Sequence, residues 1–136
     1  MSGRVLKLDY IEKVREIADK NSIKMTLDGA RAWNGSIALG VTMKEKVKDF
    51  DLISVCMSKG MGSPMGSLLV GSHEDIKSAM NYRKILGGSM RQTGLIAACG
   101  LVSLQDWQEK LTADHANAAF LAAELSEIQG INIDAG

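Results

Sequence analysis

The chain has 136 residues, 46% of them hydrophobic and 24% charged, with 16 basic side chains against 16 acidic ones. That length suits one domain around one core, and the balanced charge offers no broad field to a nucleic acid or an anionic membrane surface. No apolar stretch reaches the ~20 residues of a membrane span, and the opening MSGRVLKLDYIEKV has no secretory apolar core. The default compartment is therefore the cytosol. Cys56 and Cys99 lie far apart in apolar surroundings and read as buried thiols, since neither zinc spacing nor a disulfide framework is present.

Leu8, Ile11, Val14, Ile17 and Ala18 fall at helical spacing, and Asp9 with Glu12 resembles a cap and its partner three residues on, so a helix is expected over 9–20. Ile23, Met25 and Leu27 alternate with polar residues and predict a strand ending near Asp28. ARAWNGSIALG reads as a short helix closed by Gly40, and Thr42-Met-Lys-Glu45 has the form of a capping box opening another. DLISVCM, residues 51–57, is apolar on both faces, as a strand covered on both sides should be. SLLVG forms the next strand. It follows too closely for a parallel crossover, so it is expected to pair antiparallel. A helix over 74–86 should turn Ile76, Met80 and Ile85 inward. GGSMRQTG is a loop, helices follow over 94–105 and 107–129, and INID reads as the start of a strand. Strands alternating with helices predict an α/β fold with a mostly parallel sheet and flanking helices.

Two charged residues stand directly after predicted strands, Asp28 and Lys59. Ligands of open α/β sheets sit in the crevice outside the carboxyl ends of strands. An aspartate and a lysine at adjacent strand ends suit pyridoxal phosphate: the lysine forms the imine, and the aspartate keeps the pyridine nitrogen protonated. Only a primary amine makes a reversible imine, so arginine could not replace Lys59. Gly60 and Gly62 would let backbone approach a bulky cofactor. The plainer alternatives are an acid that caps the next turn and a solvated loop lysine. A P-loop is rejected because GxxxxGK[ST] is absent. His73 and His115 read as helix-surface residues without metal spacing, and Trp33 and Trp107 as packing residues.

LDGARAWN (27–34), SVCMSKGMGSPMGSLLVG (54–71) and RKILGGSMRQTG (83–94) resemble three successive blocks of the threonine aldolase family, in order and at similar intervals over about residues 5–130. The resemblance implies a pyridoxal-phosphate enzyme of the aspartate-aminotransferase fold. It implies that Lys59 is the Schiff-base lysine, that Asp28 pairs with the pyridine nitrogen, and that Arg31 binds the substrate carboxylate through two parallel hydrogen bonds. It places Lys84 near the substrate and Arg91 near the cofactor phosphate, Arg91 reaching in from a neighbouring subunit. The implied reaction cleaves the Cα–Cβ bond of threonine or allo-threonine to glycine and acetaldehyde. The implied state is a homo-oligomer with a small amino acid as its substrate partner.

Two departures stand out: Thr26 occupies a position where the family often has histidine, and Ser89 replaces a glycine of the third block. The family's glycine-threonine phosphate loop, its ring-stacking histidine and a second carboxylate-binding arginine have no counterpart in these residues. The chain is therefore expected to be a single partial large domain, and the abrupt ends at MSGRVLKLD and INIDAG agree with that. Two alternatives stay open: a non-catalytic relative serving as an interaction module, and another reaction of the same fold type, such as β-elimination or transamination.

Overall fold

The computed structural model describes residues 3–133. Six helices and three strands follow in the order α1 (Leu8–Lys20), β1 (Thr26–Gly29), α2 (Ala32–Leu39), α3 (Met43–Val47), β2 (Leu52–Cys56), β3 (Ser67–Gly71), α4 (His73–Ile85), α5 (Gly94–Ser103) and α6 (Trp107–Ser126). The sheet is mixed, in the order β1-β2-β3. β1 runs parallel to β2 with Asp28 opposite Ser54, and β2 runs antiparallel to β3 with Cys56 opposite Ser67. The architecture is the expected α/β one, and the antiparallel ladder is the one that the short β2–β3 connection requires.

The period of two along β2 gives the sheet two unlike faces. Ile53 and Val55 are buried and cluster with Ala32, while Leu27, Trp33, Met43, Val47 and Phe50 pack around them. Leu52, Ser54 and Cys56 face the other way. The covered face therefore carries α2 and α3, and α6 packs on α2. Trp33 and Trp107 meet edge to face with ring centroids 5.0 Å apart, so both pack as expected.

Local signals explain most element ends. Thr42 and Glu45 close the expected capping box at α3, Glu45 N donating to Thr42 Oγ1 at 3.2 Å and Thr42 N to Glu45 Oε2 at 2.8 Å. Gly40 ends α2 at φ 65°. Ser72 caps α4 by accepting from Asp75 N at 3.1 Å.

Several expectations are corrected. Asp9 is no cap. The helix starts one residue earlier, behind Lys7, and Asp9 sits in the first turn, where it faces the positive end of the dipole. The strand expected from Ile23 begins only at Thr26. Ser22 takes φ 53° and Ile23 N donates to Ala18 O at 2.9 Å, so Ile23 still belongs to the end of α1. Ile85 does not turn inward: it is 77% exposed, and Met80 is 56% exposed. The start of the strand at INID is irregular over 131–133, and Asp134 lies outside the described residues. Cys56 and Cys99 are free thiols, as expected, but half-buried, not buried. Among the described residues no helix is long and apolar enough to cross a membrane.

Candidate active site

β1 and β2 end side by side, and the two residues singled out from the sequence stand there. Asp28 is the third residue of β1 and shares its sheet face with its partner Ser54, and hence with Cys56 two residues on. Gly29 must remain glycine, because a Cβ there would lie 2.6 Å from the Ser54 carbonyl oxygen. That close approach sets Asp28 and β2 side by side. Asp28 Oδ1 accepts from Ala30 N at 3.2 Å, which turns the chain toward α2. Asp28 is exposed, and its other carboxylate oxygen makes no hydrogen bond among the described residues. Arg31 stands at the N-cap of α2, also exposed.

Beyond β2 the chain folds into a closed loop. Met57 N donates to Gly66 O at 3.0 Å, Ser63 N to Met57 O at 3.0 Å, and Gly62 N to Lys59 O at 2.8 Å. Met57 and Met61 anchor the loop from inside, 6% and 2% exposed, while Lys59 is exposed. The Cys56 thiol is held below the ordinary range first by the Ser58 hydroxyl, whose oxygen is 3.2 Å from Cys56 Sγ, and to a lesser degree by the Lys59 ammonium.

A groove of about 640 Å³ opens on the sheet between β2, β3 and α4, lined by Ser54, Ser67, Leu69, Ile76, Met80 and Arg83 among others. Lys84 lies in the last turn of α4 and Arg91 in the loop before α5, both exposed. Among the described residues the side chains of Arg31, Lys59, Lys84 and Arg91 form no hydrogen bond or ion pair with another protein group. The structure thus brings Asp28 and Lys59 to adjacent strand ends, with Arg31 one turn past Asp28. It ties neither Lys84 nor Arg91 to them.

One pair escaped the sequence reading. His115, expected on the surface of its helix, is half-buried, and Asn34 Nδ2 lies 3.3 Å from its Nε2. The two residues are 81 positions apart, so no local pattern joins them.

The residues present fit pyridoxal phosphate. A carboxylate with a free oxygen stands at the end of β1, a primary amine follows the end of the neighbouring β2, and a Cβ at Gly62 would meet nothing within 4 Å.

The beta-eliminating lyase family model matches residues 1–135, and the chain belongs to that family. It is 48% identical over 132 residues to low-specificity L-threonine aldolase 1 of Arabidopsis thaliana, covering 97% of this chain and 37% of that protein. It is 40% identical over 126 residues to the low specificity L-threonine aldolase of Escherichia coli strain K12, covering 93% of this chain and 38% of that one. A solved Listeria monocytogenes structure, provisionally named an L-allo-threonine aldolase, superposes with a TM-score of 0.87 at 23% identity, over 94% of this chain and 36% of that chain. That likeness shows the fold. The chain spans little more than a third of the length of these relatives.

Proposed function

We propose that the chain is the central part of the large domain of a pyridoxal-phosphate lyase that cleaves threonine or allo-threonine to glycine and acetaldehyde. The observation that carries this reading is the parallel register that sets Asp28 opposite Ser54 and leads β2 directly into the Lys59 loop. The relatives named threonine aldolases support the substrate class.

In this reading Lys59 holds the cofactor through its amine, and Asp28 keeps a proton on the ring nitrogen. Pyridoxal phosphate, when bound, supplies the electron sink for the pair released from the Cα–Cβ bond. Arg31 takes the substrate carboxylate, orienting the amino acid by a planar, two-pronged contact. Lys84 assists at the substrate, and Arg91 neutralises the cofactor phosphate. Both lie on the uncovered side of the molecule, in keeping with a site that further protein completes, either more of the same polypeptide or a second subunit. We assign the protein to the cytosol and to a homo-oligomer on the same reading.

The test is covalent. The purified chain is mixed with pyridoxal phosphate, its visible spectrum is recorded, and the adduct is trapped with borohydride and mapped. The label is expected on Lys59 and absent from Lys59→Ala. A label of equal yield in that variant overturns the assignment. Asp28→Ala should still take the label but lose threonine cleavage, by on the order of 100-fold or more as loss of an electrostatic group aimed at developing charge commonly gives.

A further inference from the structure

We infer that Asn34 and His115 are positioning residues that hold the Lys59 loop in register with the strand end bearing Asp28. The inference rests on the proposed role of Lys59 for its chemical consequence. Its geometry stands independently.

Asn34 lies in α2, the helix that starts one turn after Asp28. Its side-chain amide lies beside Gly60, the residue after Lys59. A Cβ at Gly60 would lie 2.9 Å from Asn34 Oδ1 and 2.7 Å from Leu111 Cδ2. Both are closer than real Cβ contacts come, so the loop lies tight against the ends of these two side chains from α2 and α6. Leu111 is fully buried, which closes one side of this contact. The amide is fixed from its other side by His115 of α6, whose Nε2 lies 3.3 Å from Asn34 Nδ2. An amide nitrogen can only donate, so Nε2 takes the accepting role in this contact. Asn34 thus spans the β1–α2 connection that carries Asp28, the helix α6, and the loop that carries Lys59. If the amide is lost, Lys59 keeps its place in the sequence, but the loop loses its stop against α2. A lysine that must meet a cofactor ring held from the neighbouring strand end depends on that stop, because misplacement of about 1 Å is costly in a preorganised site.

The experiment compares the full 136-residue chain with Asn34→Ala, His115→Ala and His115→Gln. Amide exchange is followed by mass spectrometry over 57–63, with α1 as an internal reference. Labelling of Lys59 by pyridoxal phosphate and borohydride is measured relative to Lys13, an exposed lysine of α1. Exchange over 57–63 should rise roughly two- to tenfold in both alanine variants, the range set by loss of one ordinary hydrogen bond, with α1 unchanged. His115→Gln, which retains an acceptor, should recover part of the protection. The Lys59-to-Lys13 ratio should fall with the protection. Exchange that is unchanged, or that rises equally in α1, overturns the inference. So does a local rise that leaves the labelling ratio of a Lys59-selective wild type intact, since Asn34 is then only a packing residue. If the wild-type chain takes no label at Lys59, the proposed function fails by itself, and the exchange data with the His115→Gln recovery still decide the role of Asn34.

Discussion

The stretch from Gly3 to Ser63 and the stretch from Pro64 to Leu104 are built differently. In the first, α1, α2, β2 and the Lys59 loop bury apolar side chains, Ile11, Ala18, Ala32, Ile53, Val55, Met57 and Met61; α3 buries Lys46, and Leu111 of α6 joins them. In the second, β3 is exposed at every position and α4 has no buried residue. Ile85 and Leu86 are 77% and 82% exposed, and Leu95, Leu101 and Val102 also face outward. β3 is an edge strand of sequence SLLVG, with no charge or proline to guard it. The contrast bears on function. Asp28 and Lys59 stand on the packed stretch, each next to a glycine at which a Cβ would crowd a neighbour, Gly29 and Gly60. Lys84 and Arg91 stand on the open one, where their side chains make no hydrogen bond or ion pair among the described residues. The roles proposed for Asp28, Arg31 and Lys59 thus fall on residues of the packed stretch, whereas those proposed for Lys84 and Arg91 fall on the stretch whose strand and helix are exposed.

The largest expected effect tests the contrast directly. Leu111→Ala should lower stability by about 2–5 kcal/mol, the usual range for a fully buried leucine, whereas Ile85→Ala should stay within about 0.5 kcal/mol. Urea midpoints measured on both variants provide the check. If Ile85→Ala costs as much as Leu111→Ala, α4 is covered in solution and the open stretch is closed by another copy of the chain. Next in size is Gly29→Ala. Its Cβ would press on the Ser54 carbonyl, a backbone atom that cannot swing aside, so a loss of about 1–3 kcal/mol is expected from overpacking. Pyridoxal-phosphate labelling of Lys59 should fall with it, because the β1–β2 spacing carries both residues.

The order of elements was legible because each carries a local signature: the capping box at Thr42, the glycine stop at Gly40, the two-faced apolar run of β2. The positions of Asp28 and Lys59 were legible for a related reason, since a strand end can be read from its own residues. What escaped depended on partners remote in sequence. Ser22 adopts a left-handed turn that holds Ile23 on α1, and alternation alone cannot show that. Ile85 has the spacing of an inward residue, but spacing says which face is apolar and not whether anything covers it. Asn34 and His115 meet only because α2 and α6 pack on each other.

The smallest effects concern charge. Asp51, at the entry to β2, accepts from Met25 N at 2.7 Å and from Arg15 Nη1 at 2.8 Å. These two contacts, the backbone one first, hold its carboxyl below the ordinary range. Asp75, at the start of α4, is lowered first by Lys24 and then by Ser72. The sign is the same for both. A carboxyl with a folded-state pKa below its unfolded value contributes stability in full above about pH 4, the unfolded range, and loses it as the pH falls through the folded value. Melting temperatures recorded from neutral to acid should therefore fall below about pH 4, and Asp51→Asn should flatten the slope. Asp75→Asn should flatten it less, and that small share should vanish in high salt, because the Lys24 side chain is 68% exposed and solvent ions replace it readily. Asp51 differs because its first partner is a backbone N–H at the joint between β1 and β2, which salt does not screen and which opens only when the two strands part. If instead Asp75→Asn flattens the acid slope more than Asp51→Asn, the Lys24 tie between the β1 approach and α4 holds the open stretch in place, and the two stretches unfold as one.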